Sequence, residues 1–241
     1  GRKSMRRAAA IVVPSRAHLA LSEELDGFEN KIEVIPFGID EERWADVARR
    51  PLDAPPRALF IGRLVKFKGL DVLLRALERV PDLRLDIVGT GPDGPRLKTL
   101  TQALALADRV RFYGEYPDED LPRRMAEADF LVLPSVTIDE MFGLVVLEAM
   151  AAGRPVITTA VPTGVREVNQ PGETGLEVPV HDVRSLAEAL DTLARDPFLR
   201  EKMGEAGRAR VEKFFTRRLM AERHLALYER VLAYSQEMPG P

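Results

Sequence analysis

Residues 58–88, ALFIGRLVKFKGLDVLLRALERVPDLRLDIV, contain one complete strand–helix–strand pattern. Short apolar runs at both ends flank a longer segment in which leucines recur at helical spacing. The strands are predicted over 58–61 and 83–88 and the helix over 68–79. Units of this kind build a parallel sheet, so the stretch predicts an α/β fold.

The same alternation continues over most of the chain. The further strand candidates are short runs that are mostly apolar throughout, which is typical of strands covered by helices on both faces. They are 9–13, 32–35, 110–113, 130–133, 156–159 and 176–178, and further helices are predicted over 144–152, 183–194, 197–213 and 216–234. The pattern predicts a doubly wound parallel sheet with helices on both faces, followed by a helical tail.

Composition places the chain among ordinary globular proteins, because 45% of its 241 residues are hydrophobic and 30% are charged. Its 35 basic and 38 acidic residues are interspersed and give a net charge of -3, so we expect no nucleic-acid partner. The absence of cysteine excludes disulfides, thiolate nucleophiles and cysteine-bound zinc. The apolar run 8–13 is too short to span a membrane and no signal-like cleavage region follows it, so a soluble cytoplasmic protein is predicted.

The segment 49–56 is polar and contains Pro51, Pro55 and Pro56. We expect an exposed loop or linker there. The basic stretch 1–7 could contact a membrane surface, but a solvated helix face is the favoured interpretation because it carries only four positive charges.

Residues 89–94, GTGPDG, match the dinucleotide-binding pattern G-x-G-x-x-G. Against that function, Pro92 removes a backbone N–H from the loop that would hold a pyrophosphate, and the loop follows a later strand of the series. Pro95 fits the first position of a helix. We expect a tight turn at the carboxyl end of a strand, where it can still touch a ligand.

The acidic cluster 118–120 could bind a divalent cation or cap the helical stretch 121–128. Capping is favoured, because aspartates are common at helix starts and suit the positive end of the helix dipole. The three histidines, His18, His181 and His224, have no metal-ligand spacing and no serine nucleophile motif near them. Neither a zinc site nor a hydrolase is expected.

The turn after strand 58–61 carries three cations within six positions. Arg63 can grip a phosphate with its planar guanidinium, and Lys68 adds a mobile point charge beside a helix start. A solvated basic loop explains the same residues, and this motif alone does not separate the two interpretations.

The segment 139–156 places one carboxylate, Glu140, in a loop and another, Glu148, inside a helix. If the helix begins near Gly143, its first backbone N–H groups can hold phosphate oxygens. Glu148 then lies in the second turn among apolar residues, where a partly buried carboxylate needs a partner. Ribose hydroxyls are such partners, as in dinucleotide-binding folds.

These residues resemble the retaining glycosyltransferases of family 4, which have two Rossmann-like domains facing each other across a cleft, the GT-B architecture. Their E-x7-E signature is present from Glu140 to Glu148, and a motif similar to G-R-L-x-x-x-K-G runs from Gly62 to Gly69. Further matching stretches are 34–40, 89–92, 165–167 and 172–176. Phe37 stands where the family often has asparagine, and Met141 where proline is common.

The resemblance implies a donor site without metal or cofactor for a UDP- or GDP-sugar. Arg63 and Lys68 would bind the diphosphate, Glu140 would orient the transferred sugar, and Glu148 would hold the ribose. The remaining donor-binding residues that it implies are Gly62, Gly91, Phe142, Gly143 and Leu144. It also implies front-side transfer assisted by the leaving phosphate, so Glu140 is not expected to act as a nucleophile; the glycosidase pairing of two carboxylates across one bond does not apply.

A GT-B enzyme needs two domains of roughly 150–200 residues each, more than this chain provides. We therefore expect residues 1–35 to be a remnant of the acceptor domain with the crossing between domains, 36–214 to bind the nucleotide sugar, and 215–241 to form a helical tail that returns to the acceptor domain. The fragment would bind donor weakly and transfer nothing. In the full-length protein, the acceptor would be a glycan or a lipid-linked molecule, reached at the inner face of the membrane through peripheral contact. A GT-B nucleotide-sugar epimerase and a non-catalytic nucleotide-sugar-binding module remain as alternatives.

Overall fold

The computed structural model describes residues 1–48, 50–51 and 54–237, with side chains as far as residue 233. Of the predicted linker 49–56, residues 49, 52 and 53 lie outside the described residues. The last four residues of the predicted tail, 238–241, also lie outside them.

Parallel strands form the centre of the protein. A two-stranded sheet pairs β1 with β2, and a six-stranded sheet has the order β5-β4-β3-β6-β7-β8. The strands are β1 Ile11–Val13, β2 Ile32–Val34, β3 Arg57–Ile61, β4 Arg84–Val88, β5 Val110–Gly114, β6 Phe130–Leu133, β7 Val156–Thr159 and β8 Gly175–Val178. Every strand predicted from the sequence is present, with ends that differ by no more than two residues, which confirms the predicted fold class.

Helices connect the strands and cover both faces of the larger sheet. They are α1 Arg2–Arg7, α2 Arg16–Leu21, α3 Glu42–Ala45, α4 Leu70–Leu77, α5 Gly94–Ala103, α6 Leu121–Ala126, α7 Leu144–Ala151, α8 Val165–Val168, α9 Val183–Arg195, α10 Pro197–Phe214 and α11 Arg217–Glu237. Because crossovers between parallel strands are right-handed, α4 and α5 cover one face of the sheet, and α6 and α7 cover the other. α9 packs on α4, and α10 packs on α7.

The core lies where β3, β4, β6 and β7 are buried between the two helical layers. All four residues of β6 and of β7 are buried, so the apolar runs in the sequence correspond to strands shielded on both faces. Fully buried side chains in this core include Phe60, Leu74, Leu85, Ile87 and Phe130. One charge is buried among them: Asp86 of β4 accepts two hydrogen bonds from Arg57 of β3, at 2.8 and 3.0 Å.

Helix α4 begins later than the sequence predicts, and α5 begins one residue earlier. The helix predicted over 68–79 is the 3-10 turn Lys66–Lys68 followed by α4, which starts only at Leu70. The separation occurs because the turn packs against the loop after β6, where Val136 N donates to Phe67 O at 2.7 Å. α5 begins at Gly94, so Pro95 is its second residue rather than its first.

Two of the three glycines in residues 89–94, Gly89 and Gly91, allow close packing between loops. Gly89 has φ of 126°, and a Cβ there would lie 2.0 Å from the carbonyl oxygen of Gly62. A Cβ on Gly94 would meet nothing closer than a Leu64 methyl group at 3.5 Å. In a dinucleotide fingerprint the third glycine allows a helix and a strand to pack closely. Gly94 holds that third position here, and the space around it shows that no such close packing requires a glycine. The predicted tight turn at the carboxyl end of β4 is present.

We expect Gly89→Ala to lower the free energy of unfolding by roughly 3 kcal/mol, because the added methyl group meets backbone and the residue is held in a conformation unfavourable for alanine. Urea unfolding followed by circular dichroism measures this change. Gly94→Ala is the matched control in the same loop and should change stability by less than about 1 kcal/mol. Equal losses in the two variants would contradict the proposed backbone contact.

The segments that enter and leave the six-stranded unit meet at one place. Ile39 and Thr216 form a parallel bridge, with Ile39 N donating to Phe215 O at 2.9 Å and Arg217 N to Ile39 O at 2.7 Å. Further along α11, Arg230 forms an ion pair with Glu33 of β2 at 2.8 Å. Within the part of the chain that the structure describes, no helix combines the length and the apolar character needed to cross a membrane.

Candidate functional site

The order of the strands defines where a ligand can bind. From β3 the chain moves through β4 to β5 in one direction, and from β6 through β7 to β8 in the other. The loops that follow the neighbouring strands β3 and β6 therefore diverge and leave a crevice at the carboxyl edge of the sheet. The motif from Gly62 to Gly69 follows β3. The E-x7-E signature begins with Glu140 in the loop after β6 and ends with Glu148 in α7.

At the crevice, Lys68 from the loop after β3 meets Glu140 from the loop after β6. Lys68 Nζ donates to Glu140 Oε2, and Ser135 Oγ donates to the same oxygen at 2.9 Å. The side chains of Lys68 and Glu140 are only 14% and 10% exposed. The family resemblance assigned Lys68 to the diphosphate and Glu140 to the transferred sugar. In the structure these two side chains pair with each other.

The backbone fixes the loop that carries Glu140. Ser135 is buried, and its carbonyl oxygen accepts a hydrogen bond from Thr159 Oγ1 at the end of β7. Glu140 N donates to Thr137 O at 3.3 Å, which closes a turn. The carboxylate is thus held on a loop anchored to two neighbouring strands.

α7 begins at this crevice with an open N-terminus. Gly143 precedes the helix with φ of 73°, and no side chain caps the first turn. Among the described residues, none accepts a hydrogen bond from the backbone N–H of Gly143 or Leu144. These groups and the helix dipole can hold an anion, as the sequence predicted from a helix starting near Gly143.

Arg63 lies on the other side of the crevice. It follows Gly62 directly after β3, is exposed, and forms no ion pair or side-chain hydrogen bond with the described residues. It lines a cavity of about 490 Å³ together with Gly62, Gly91, Glu115, Tyr116 and Leu121. The structure therefore brings three predicted donor-binding residues, Gly62, Arg63 and Gly91, to one cavity.

Glu148 occupies the second turn of α7, as predicted. It is partly buried and forms no side-chain hydrogen bond with the described residues. Burial raises the pKa of Glu148 to about 7, while the charge of Arg43 lowers it and the charge of Asp118 raises it. A carboxylate that is shielded from water and accepts no hydrogen bond from the protein is suited to bind a ligand with hydroxyl groups.

Phe142 differs from the other predicted donor-binding residues, because its side chain is 4% exposed. Its ring packs edge-on against Phe37 and Phe215, with centroid distances of 5.2 and 6.4 Å. These partners lie at the junction with the first forty residues and the start of α11. A donor contact at Phe142 can therefore come only from its backbone.

The acidic cluster 118–120 forms a 3-10 turn between β5 and α6. The predicted capping is wrong, because Asp120 at the N-cap of α6 makes no side-chain cap hydrogen bond. Asp118 instead forms an ion pair with Arg43 at 2.6 Å. In the described ranges, no three histidine or acidic side chains converge into a group that could hold a metal ion.

Sequence reasoning missed two residues of this region, Ser135 and Arg43. A signal for Ser135 existed, since it is a polar residue directly after the apolar strand β6. Arg43 had none, because its partner Asp118 is 75 positions away.

Known proteins are similar to this chain over most of its length. The family described as glycosyl transferases group 1 matches residues 42–210. D-rhamnosyltransferase WbpZ of Pseudomonas aeruginosa is 33% identical over 212 residues, which cover 86% of this chain and 55% of that protein. The chain spans 50% and 61% of the lengths of two further curated relatives, so it corresponds to about half of such proteins.

Solved structures share the fold over nearly the whole chain. Sucrose-phosphate synthase from Thermosynechococcus elongatus has a TM-score of 0.85 at 30% identity, covering 97% of this chain and 61% of that one. The HepE protein of Anabaena, crystallised with UDP and glucose, has a TM-score of 0.82 at 22% identity, covering 95% of this chain and 67% of that one. The second likeness shows the fold alone.

Proposed function

This chain belongs to the glycosyl transferases group 1 family, and on that premise we propose that it is the donor-binding part of a retaining, metal-independent hexosyltransferase. Its donor is a UDP- or GDP-sugar, and its acceptor is a glycan or a lipid-linked molecule bound by the rest of the enzyme. Residues 36–214 form the nucleotide-sugar domain, 1–35 belong to the acceptor domain and the crossing, and α11 with the residues after it returns to that domain.

The observation that carries the proposal is the pairing of Lys68 with Glu140 at the crevice between β3 and β6. A cation and an anion lie side by side next to the open N-terminus of α7. A sugar diphosphate offers each of them a partner, because its phosphates attract Lys68 and its hydroxyl groups can donate to Glu140. Nothing in the fold itself requires such a pair at a ligand-binding edge.

In the proposed mechanism, the diphosphate lies between Arg63, Lys68 and the backbone N–H groups of Gly143 and Leu144. The bond between the anomeric carbon and the phosphate oxygen breaks, and negative charge grows on the leaving diphosphate. Pre-placed cations and N–H groups stabilise that charge in the transition state more than in the bound donor.

Glu140 lies near the positive charge that develops on the sugar. As the leaving group departs, the anomeric carbon becomes cationic, and a carboxylate near the sugar stabilises it. The acceptor hydroxyl forms the new bond on the face from which the diphosphate leaves, and its proton passes to an oxygen of that diphosphate. The anomeric configuration is retained without a covalent enzyme intermediate, so Glu140 orients and stabilises rather than attacks.

The nucleoside occupies the cavity beyond Arg63. Glu148 accepts hydrogen bonds from the ribose hydroxyls, and the loop after β5, with Glu115 and Tyr116, lies beside the base. This assignment places phosphate, ribose and base along the carboxyl edge from β6 towards β5.

Isothermal titration of this chain with UDP, GDP and their hexose conjugates tests the proposal. We expect one of the two nucleotides to bind, NAD not to bind, and purified chain to transfer no sugar to any acceptor. Binding of NAD without either nucleoside diphosphate would contradict a donor site. Turnover by the chain alone would contradict the need for a separate acceptor domain.

A further inference from the structure

A cross-link joins α3 to the turn Asp118–Asp120, which follows β5. Arg43 Nη1 donates to Asp118 Oδ2 at 2.6 Å, and Arg43 Nη2 donates to the backbone carbonyl oxygen of Asp118. The guanidinium also stacks 5.1 Å from the ring centroid of Trp44, which is only 1% exposed. Arg43 is therefore held between a core side chain and the turn.

Stability does not explain this cross-link. The side chain of Asp118 is 74% exposed, and ion pairs at such sites contribute only about 0–1 kcal/mol. α3 has four residues and is anchored by Trp44 without the help of Arg43. The role of the contact between Arg43 and Asp118 therefore depends on the groups beside it.

α3, which carries Arg43, packs against α7, which carries Glu148. The charge of Arg43 lowers the pKa of Glu148, and the charge of Asp118 raises it. Other charged groups packed around α7 are engaged elsewhere: Arg208 of α10 donates to Ala151 O at 3.1 Å, and with Glu42 and Glu212 it lines a separate depression beside Ala151. β6 and β7 present buried residues to this helix.

We propose, resting on the function proposed above, that Arg43 is a positioning residue of the ribose subsite. It fixes the turn Asp118–Asp120 against α3 and supplies the positive charge that keeps Glu148 able to accept hydrogen bonds from two ribose hydroxyls. A protonated carboxyl group would lose part of that accepting capacity.

The direction of each effect follows from charge. Burial raises the pKa of Glu148 to about 7, so nucleotide affinity should rise as the pH rises through that value and the carboxylate forms. Arg43→Gln removes the charge that lowers the pKa and should move it upward. Asp118→Asn removes the charge that raises the pKa of Glu148 and should move this pKa downward. Both substitutions break the ion pair between Arg43 and Asp118.

The experiment measures the Glu148 pKa directly, by carbon-13 NMR titration of the glutamate carboxyl groups, with Glu148→Gln identifying the resonance. The two variants should shift this pKa in opposite directions. Arg218→Gln breaks the exposed pair Arg218–Glu222 on α11 and is the matched control, which should leave it unchanged.

Titration with UDP and GDP supplies the second readout, with every variant compared at the same pH so that titration of the nucleotide phosphate cancels. At pH 6.5, Arg43→Gln should weaken binding about 5- to 10-fold, and at pH 9 less than twofold. Asp118→Asn should strengthen binding about twofold at pH 6.5. The 2′-deoxy nucleotide should show smaller changes.

Two results overturn the inference: shifts of the Glu148 pKa in the same direction in both variants, or an affinity loss in Arg43→Gln that is equal at pH 6.5 and pH 9. Either would reduce Arg43 to a structural role. Failure of the unsubstituted chain to bind UDP and GDP at any pH would instead overturn the proposed donor site, and the ribose subsite with it.

Discussion

Lys68→Ala is expected to weaken nucleoside diphosphate binding by this chain about 100-fold. A hydrogen bond between charged groups contributes about 1.5–3 kcal/mol, and its loss accounts for most of that effect. The rest comes from Glu140, whose carboxylate loses its ion-pair partner and faces the incoming phosphate without Lys68 beside it. Titration with UDP and GDP measures the change.

Lys66→Ala is the control for this result. Lys66 lies in the same 3-10 turn but is exposed and forms no ion pair with the described residues. Its removal should weaken binding by less than about threefold, since a solvated charge near the site acts only through screened attraction. Similar losses in the two variants would show that a basic loop, and not a placed lysine, attracts the ligand.

Glu140→Gln is expected to separate binding from transfer. Glutamine keeps the shape and can still accept from Ser135, but it releases Lys68 from its ion pair. Affinity of this chain for UDP or GDP should therefore rise about fivefold, corresponding to about 1 kcal/mol. Transfer by the full-length enzyme should fall about 100- to 1,000-fold, because the growing charge on the sugar is no longer stabilised.

Asp139→Asn is the matched control, since this neighbouring carboxylate is exposed and, among the described residues, has only Thr137 as a hydrogen-bond partner. It should change neither quantity by more than about twofold. A Glu140→Gln variant that binds the nucleotide as weakly as Lys68→Ala would contradict the view that Glu140 and phosphate compete for Lys68. Unchanged transfer would remove Glu140 from the mechanism.

The sheet could be predicted from the sequence because its signals are local. Each central strand is an apolar run such as Phe130–Leu133, and a run of that kind needs cover on both faces wherever it lies. The start of α7 could also be predicted, since Gly143 precedes a segment in which leucine, glutamate, alanine and methionine outnumber the two valines. The family motifs then indicated which loops bind the donor.

Pairings across the sheet could not be predicted. Lys68 and Glu140 are 72 positions apart, and their contact depends on β3 and β6 being neighbours, which no local pattern specifies. The ion pair between Arg43 and Asp118 could not be predicted for the same reason, because the two residues are 75 positions apart. Phe142 lies inside the motif and stays a predicted donor-binding residue. Its ring packs against Phe37 and Phe215, and no local pattern specifies that contact.

The bridge between Ile39 and Thr216 has a consequence for how such proteins diversify. The chain passes into the six-stranded unit and out of it at adjacent backbone positions, joined by hydrogen bonds of 2.9 and 2.7 Å. A unit bounded in this way can be exchanged between proteins as a whole. The two new chain connections then lie next to each other, and the core of the unit stays intact. Recombination can thereby exchange the whole unit, and with it the crevice between β3 and β6, in a single step.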